Sequence, residues 1–207
     1  MSLRLRIHPD NPQPRLINQV VDIIRKGGVV IYPTDTAYAI GCKLDEKNAL
    51  DVIKQIRRLD DKHLFTLLCR DLSEIANYAK VENWQYRLIK SNTPGAYTFI
   101  LDATTEVPRR LMHPKRRTIG LRVPDHAISQ SLLEAVGEPL ITATLQMPGD
   151  EFPLMDPDDI EQVLGHQVDV IIDGGYGMAT ETTVVSLLGD NPELIREGDG
   201  DISTLGL

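Results

Sequence analysis

Two short stretches of the chain carry side chains that could hold a small ligand. The first, YPTDTAYAIGC at 32–42, follows the apolar run GGVVI, so Thr34, Asp35 and Thr36 stand at the exit of a predicted buried strand. Hydroxyls and a carboxylate at the carboxyl end of a strand lie where open α/β sheets bind ligands. The same side chains could instead cap a turn after Pro33, because Thr and Asp bond readily to nearby backbone N–H groups. The stretch by itself leaves both interpretations open.

The second stretch, RTIGLRVPDH at 117–126, predicts a strand with one polar face. Alternate residues of a strand share a face, so Thr118, Gly120 and Arg122 lie together, opposite an apolar set that faces the core. Gly120 would let a flat group approach the strand closely. Arg122 offers a planar fork that suits a carboxylate or a phosphate. An exposed strand face with a solvated arginine is the alternative.

Positive charge is concentrated in one segment, although the chain as a whole has a net charge of −8. Fourteen consecutive residues without an acid contain Arg109, Arg110, Lys115, Arg116, Arg117 and Arg122. An acidic protein with a local basic zone favours binding of a small anion over a long polyanion. No aromatic residue interleaves the basic ones to stack on bases. A solvated surface and a rim that attracts phosphate fit the segment equally well.

Several common chemistries have no motif in this sequence. There is no G-x-x-x-x-G-K-[ST] phosphate loop, no G-x-G-x-x-G after a strand and no G-x-S-x-G elbow. The five histidines are scattered without metal-ligand spacing. We therefore predict neither a protein-bound metal nor a catalytic nucleophile or base.

The elements that must position these residues alternate between helices and short apolar strands. The helix at 14–26, for example, has one broad apolar face and ends at Gly27 and Gly28, and the strand GVVIYPT follows it. This alternation predicts one α/β domain around a twisted, mixed sheet. Cys42 and Cys69 lie in or beside apolar runs as buried thiols, which fits a reducing cytoplasm. No apolar stretch approaches the ~20 residues of a membrane span, so no membrane association is expected.

Five stretches, taken in order, resemble the motifs of the threonylcarbamoyl-AMP synthase family, also called the YrdC/YciO family. YPTDTAYAIGC resembles its P-T-[DE]-T-x-Y-x-[IL]-G signature, TPGAYTFIL its P-G-x-x-T-x-[IV]-L element and RTIGLRVPDH its T-[IV]-x-[LV]-R-x-P element. VDVIIDGG and PELIREG resemble two later segments, and the opening IHPDNPQ is most similar to the YciO branch. The resemblance implies a single YrdC-like domain over 7–198, followed by a C-terminal tail at 199–207.

The resemblance also implies an architecture and a reaction. The fold would be a twisted α/β sheet with an open, concave, basic cavity. The reaction would be that of a nucleotidyltransferase, in which L-threonine, bicarbonate and ATP with Mg²⁺ give threonylcarbamoyl-AMP and pyrophosphate. The product serves the first step towards a modified adenosine, t6A, in tRNA.

Residues of the site follow from matching the family motifs position by position. The resemblance assigns L-threonine binding to Thr36, Arg122 and Thr144. It assigns ATP binding to Arg57, Lys62, Thr118, Gln146, Thr182 and Arg196.

Two motifs depart from the family pattern. The K-x-R motif reads Gln55-Ile56-Arg57, and the neighbouring Lys54 points about 100° away around a helix. The S-x-N motif reads Thr144-Leu145-Gln146. A site tolerates only small displacements before its rate falls, so we predict retained ligand binding with weakened synthase activity. The alternative is a double-stranded RNA or tRNA-binding module whose basic cavity performs no chemistry.

Overall fold

Ten short strands form one sheet in a computed structural model that describes all 207 residues. The strands are β1 (Leu3–Arg6), β2 (Val30–Tyr32), β3 (Ala39–Lys43), β4 (Thr66–Leu68), β5 (Tyr97–Asp102), β6 (Thr118–Arg122), β7 (Leu140–Thr144), β8 (Val170–Asp173), β9 (Thr183–Ser186) and β10 (Glu193–Arg196). Most are the apolar runs of the sequence, and β2 and β8 are buried along their whole length. Several end at a turn-forming residue, such as Pro33 after β2 and Gly174 after β8.

The sheet is mixed, and its strand order is β1-β8-β2-β3-β7-β4-β6-β5-β9-β10. Four neighbouring pairs are parallel, namely β1 with β8, β8 with β2, β4 with β6 and β5 with β9. The other five pairs are antiparallel. The predicted fold class, a twisted mixed sheet in an open α/β architecture, is therefore confirmed.

Six helices cover the sheet, and the first of them matches the helix predicted at 14–26. They are α1 (Pro14–Arg25), α2 (Lys47–Arg57), α3 (Leu72–Tyr78), α4 (Asn83–Asn92), α5 (Ala127–Val136) and α6 (Pro157–Leu164). In α1 the proline at the first position fits a helix start, and Gly27 just beyond the helix takes the left-handed φ of 88° that favours glycine. None of the helices is both long and apolar enough to cross a bilayer.

The two faces of the sheet are covered unequally. Helices α2, α3, α4 and α6 contribute to a core cluster of 34 buried residues on one face. Helices α1 and α5 contribute to a cluster of 16 on the other, where they cover the side of the sheet around β2 and β8. That cluster includes Leu68 of β4 and Leu140 of β7 but no residue of β5, β6 or β9, so the part of this face over those three strands is open. The open half of the sheet is where a ligand site can form.

The structure contains elements that the sequence patterns did not indicate. Strand β3 pairs with β2 and β7, and β1 pairs with β8 at one edge of the sheet. Arg4 of β1 forms salt bridges with Asp158, Glu161 and Asp173 at 2.7 to 2.8 Å. Leu205 is 1% exposed and lies in the larger core cluster. The domain bounds of 7 and 198 stay a prediction, and these contacts join segments on both sides of them to the same sheet and core.

Candidate active site

A cavity of about 230 Å³ opens over the uncovered half of the sheet. Strands β3 to β10, except β8, together with α2 and the loops beside them, supply its walls. Six of the nine predicted site residues line it: Thr36, Arg57, Arg122, Thr144, Thr182 and Arg196. Residues separated by up to 160 positions in the chain are therefore brought to one place.

Strand β6 has the two faces that its sequence predicts. Ile119 and Leu121 are fully buried in the larger core cluster. A Cβ on Gly120 would lie 2.8 Å from the hydroxyl of Thr66, and Thr66 lines the cavity. Arg122 lines the cavity as well. Of the polar set of β6, Arg122 thus faces the cavity, and Gly120 is needed because any larger side chain would strike Thr66 of β4.

The polar residues of the turn after β2 fill both of the roles considered for them, capping of the turn and lining of a ligand cavity. The Thr34 hydroxyl donates to the carbonyl of Ala37 at 2.7 Å and accepts the backbone N–H of Thr36 at 3.1 Å, so Thr34 caps the turn. The Thr36 side chain, which is only 4% exposed, lies in the cavity wall. Asp35 accepts a charged hydrogen bond from Arg122. Thr34 therefore stabilises the turn, Thr36 lines the cavity, and Asp35 binds an arginine of the cavity.

Arg122 is the most deeply buried cation of the site. It is 7% exposed, its salt bridge to Asp35 uses one guanidinium nitrogen, and its Nε has no hydrogen-bond partner. Burial lowers the pKa of Arg122, and the charge of Asp35 partly opposes that shift. Because burial penalises the cation more than Asp35 stabilises it, an additional anion beside the guanidinium is electrostatically favoured.

Two more arginines, Arg57 and Arg196, line the cavity. Arg57, at the end of α2, donates to the carbonyl of Gln146, and its Nε is buried without a partner. Burial lowers the pKa of Arg57, and Glu181 opposes the shift. Arg196 donates to the carbonyl of Thr182 at 3.0 Å and pairs with Glu181 at 3.3 Å. Arginines held in fixed positions suit the binding of phosphate groups.

Three predicted site residues do not line the cavity. The Gln146 side chain donates to the carbonyl of Asp150 at 2.8 Å, so only its backbone carbonyl takes part, as the acceptor for Arg57. Lys62 is exposed in the loop that follows α2. Thr118 is 3% exposed at the start of β6, where it pairs with Asp102. Their assignment to ATP stays a prediction.

The cavity also contains residues that the sequence analysis did not single out. Thr66 and Thr98 could have been found, because each occupies an inward-facing position of a strand beside β6. The Tyr38 hydroxyl donates to the carbonyl of Gly175 at 2.6 Å, and burial raises its pKa to about 12. His63 lines the cavity next to Phe65, and desolvation and Arg57 lower the pKa of its ring. Nothing in the local sequence marks His63.

The lysine of the family K-x-R motif is Gln55 in this chain, and the neighbouring Lys54 does not take its place. Gln55 is exposed on α2. Lys54 pairs with Asp61 at 3.4 Å and lies 6.0 Å from the centre of the Phe65 ring, and it does not line the cavity. The formal charges in the wall are therefore three arginines and Glu181. No group of three or more His, Cys, Asp or Glu side chains is arranged to hold a metal ion.

Comparison with known proteins places this architecture in a defined group. Residues 22–198 match the Sua5/YciO/YrdC family model, which carries the description telomere recombination. The chain is 57% identical over 202 residues to YciO of Escherichia coli strain K12, with 98% of each chain covered. The crystal structure of E. coli YciO superimposes with a TM-score of 0.95 over 99% of this chain and 100% of that one, at 56% identity.

More distant similarity extends to a named enzyme. A threonylcarbamoyl-AMP synthase of Vibrio vulnificus strain YJ016 is 28% identical over 165 residues, which are 78% of this chain and 87% of the synthase. The crystal structure of P. abyssi Sua5 complexed with L-threonine has a TM-score of 0.85 at 24% identity. It covers 96% of this chain and 57% of Sua5, and at this identity the likeness concerns the fold.

Proposed function

The chain belongs to the Sua5/YciO/YrdC family, and from this premise we propose that it is an ATP-dependent nucleotidyltransferase that forms threonylcarbamoyl-AMP. The observation that carries the proposal is the convergence of six motif residues in one basic cavity. The synthase of V. vulnificus, which is similar along most of this chain, supports the same activity.

L-Threonine is proposed to bind at the Arg122 end of the cavity. A bidentate pair between the guanidinium and the substrate carboxylate would compensate the burial of this cation. The hydroxyls of Thr36 and Thr144 lie in the same wall and can bond to the amino acid. Asp35 holds the guanidinium in orientation before the substrate arrives.

ATP is proposed to bind at the Arg57 and Arg196 end, with its Mg²⁺ arriving as part of the substrate complex. Arginines and the Thr182 hydroxyl would neutralise and orient the phosphates. The amine of threonine and bicarbonate give a carbamate and water. An oxygen of the carbamate then attacks the α-phosphorus while pyrophosphate leaves. Such a transfer needs alignment and charge neutralisation more than a side-chain nucleophile, which matches the residues of the cavity.

We propose that turnover is slow compared with that of family members that retain both motifs. The exposed Gln55 supplies no charge, and the Gln146 amide is committed to the loop at 150–151. The expected product would serve adenosine modification of tRNA, and the expected location is the cytoplasm.

Pyrophosphate release by the purified protein tests the proposal. ATP and Mg²⁺ are supplied alone, with L-threonine, with bicarbonate and with both. We expect release that requires both co-substrates and that is lost in Arg122→Lys. Release that ignores either co-substrate would overturn the assignment of the reaction. Absence of release together with measurable ATP binding would show a cavity that binds its ligands without performing the transfer.

A further inference from the structure

Two threonine side chains in the cavity wall have no role in the proposed function. Thr66 of β4 and Thr142 of β7 are direct partners across the two neighbouring strands, and both line the cavity. The Cα atoms of such a pair lie roughly 4.5–5.5 Å apart, so one small ligand can contact both hydroxyls. We call Thr66 and Thr142 the hydroxyl pair.

A buried phenol fixes the direction of the Thr142 hydroxyl. The fully buried Tyr32 donates its hydroxyl hydrogen to Oγ1 of Thr142 at 2.7 Å. The ring reaches Thr142 across Gly41, where a Cβ would lie only 3.1 to 3.2 Å from the ring and hydroxyl of Tyr32. Burial raises the pKa of Tyr32, so the phenol keeps its proton and remains a donor. Because Oγ1 accepts this bond, the proton of the Thr142 hydroxyl points elsewhere.

Both hydroxyls of the pair are free to donate into the cavity. Thr142 has no acceptor for its proton within the protein, and the Thr66 hydroxyl forms no hydrogen bond with another residue. Gly120, the partner of Thr66 on β6, carries no side chain that could cover the pair. Two donors without a protein acceptor favour a ligand that offers acceptor oxygens.

The hydroxyl pair lies between the two proposed subsites. The row of paired residues that contains Arg122 crosses β7 at Leu140, two residues before Thr142. Four residues after Thr142, the carbonyl of Gln146 accepts the hydrogen bond from Arg57. At about 3.3 Å per residue, Thr142 is thus roughly 7 Å from the first position and at most about 13 Å from the second. The amine of threonine must be joined to the group that attacks the α-phosphorus, so this group has to form between the two subsites.

The remaining substrate, bicarbonate, matches this position. It is a small planar anion whose oxygens accept hydrogen bonds, and its charge makes such bonds stronger than those between neutral groups. We propose that the hydroxyl pair binds bicarbonate and that Tyr32 acts through Thr142 as a positioning residue. This inference rests on the proposed function, to which it adds the residues that bind the third substrate. Arg122 of the same wall contributes positive charge.

The hydroxyl pair holds the oxygens of the reacting group before and after the carbamate forms. The neutral amine of threonine forms a bond to the bicarbonate carbon, the bond from that carbon to its hydroxyl oxygen breaks, and one amine proton leaves with the hydroxide as water. The two oxygens that stay on the carbon are those bound by the pair. One of them then attacks the α-phosphorus, and fixed donors keep it aligned for this step.

Bicarbonate binding and turnover by the full-length protein test the inference. Binding is measured with isotope-labelled bicarbonate alone, through the broadening of its carbon NMR resonance. Turnover is measured as pyrophosphate release at varied bicarbonate and at varied L-threonine. Thr142→Val removes the hydroxyl at nearly constant shape, Thr142→Ser keeps it, and Tyr32→Phe removes only its hydrogen-bond partner. Tyr97→Phe is the matched control, because its phenol donates to the carbonyl of Asp201 and its ring lies in the larger core cluster.

We expect the wild type to broaden the resonance and Thr142→Val to lose most of the broadening. The KM for bicarbonate should rise about tenfold in Thr142→Val, since a lost hydrogen bond to a charged group costs at least that much affinity. The KM for L-threonine should change by less than about twofold, because that substrate binds other residues. In Tyr32→Phe the Thr142 hydroxyl remains but rotates freely, so the KM for bicarbonate should rise about threefold. Thr142→Ser and Tyr97→Phe should stay within about twofold of the wild type.

Three outcomes would overturn the inference. They are a wild type that leaves the resonance unchanged, equal broadening by the wild type and Thr142→Val, and equal rises in the KM for both substrates, which would show a general distortion of the cavity. Thr142→Val leaves the buried Tyr32 phenol without its acceptor. The double variant Y32F/T142V replaces both groups by apolar ones, so it should fold and should bind bicarbonate as weakly as Thr142→Val.

The same measurements separate this inference from the proposed function. Bicarbonate binding through Thr142 without pyrophosphate release would contradict the proposed function alone. Release that requires bicarbonate, with no effect of Thr142→Val on its KM, would contradict this inference alone.

Discussion

The cavity and a second basic depression, which we call the groove and whose cations are Lys80, Arg109, Arg116 and Arg117, hold positive charge in different ways. In the cavity, Arg122 is buried and paired with Asp35, and Arg57 donates to a carbonyl. In the groove, the four cations are exposed and unpaired. Buried cations interact strongly and are weakly screened, whereas exposed cations interact weakly one by one and are screened by salt.

The two surfaces therefore discriminate between ligands by different means. A fixed, desolvated guanidinium discriminates by geometry, because a ligand must match its fork closely. A set of solvated cations discriminates mainly by charge density. The cavity is therefore suited to one small molecule, whereas the exposed cations attract anions with little selection for their shape.

The largest effects, on ligand affinity and on stability, should both follow from changing Arg122. Arg122→Lys keeps the charge but loses the planar fork, so we expect L-threonine affinity to fall about 100-fold, or about 2.7 kcal/mol. Isothermal titration calorimetry measures the loss. Arg70→Lys is the matched control, because Arg70 pairs with Asp71 at the surface. Unchanged threonine affinity in Arg122→Lys would show that the Arg122 guanidinium does not bind L-threonine.

The free energy of unfolding should also depend on the ion pair between Arg122 and Asp35. Arg122→Ala leaves the Asp35 carboxylate without its partner in a buried place, which costs about 3–5 kcal/mol. Adding Asp35→Asn should recover part of this loss in urea unfolding, while threonine binding stays absent. If the double variant is no more stable than Arg122→Ala, the pair does not account for the destabilisation.

A gain is expected from Gln55→Lys. The new cation would restore the family K-x-R pattern at the end of α2, and we expect pyrophosphate release to rise roughly tenfold, an effect of about 1.4 kcal/mol. Gln19→Lys on the exposed side of α1 adds the same charge elsewhere. Equal rates in the wild type and Gln55→Lys would mean that the missing lysine does not limit turnover.

A smaller effect concerns the pH dependence of stability through His126. Its Nδ1 accepts the N–H of Ile128 at the start of α5, and burial lowers its pKa. The unfolded chain therefore binds the proton more readily, and the free energy of unfolding should fall as the pH drops below about 6.5. His126→Asn keeps a side-chain cap and removes the titration.

Urea unfolding at several pH values measures this slope in the wild type and in His126→Asn. The pKa of His63 is also lowered, so the variant should lose only part of the slope. An identical slope in both proteins would show that His126 does not contribute.

The smallest expected effect is the salt dependence of L-threonine affinity. Two of its three proposed partners, Thr36 and Arg122, are buried and the amino acid has no net charge, so affinity should change by less than about twofold between about 50 and 200 mM salt. Calorimetry in both buffers tests this directly. A steep salt dependence would mean that solvated cations, rather than Arg122, bind the amino acid.

The parts of the site that sequence could predict are those fixed by local pattern. The alternation of β6 placed Gly120 and Arg122 on the polar face, and the position of Thr36 after a buried strand placed it at the sheet edge. Both follow from the two-residue repeat of a strand. The helices could likewise be predicted, because their apolar spacing repeats over several turns.

The remaining features depend on distant contacts that no local pattern contains. The Gln146 side chain turns to the loop at 150–151, leaving only its carbonyl for Arg57. Strand β1 is defined by its pairing with β8, more than 160 residues away. The groove forms only because Lys80 meets the turn at 113–117 in space. Contacts between residues so far apart in the chain cannot be predicted from sequence spacing.

The strand order also governs when the cavity can exist during synthesis. Strand β4 lies between β7 and β6, so its neighbours are made more than fifty residues after it. The cavity wall is complete only when Arg196 has been added. Pairings between such distant segments close large loops and form late. Ligand binding should thus report on the finished molecule, and a nascent chain that stops before β9 should bind neither threonine nor ATP.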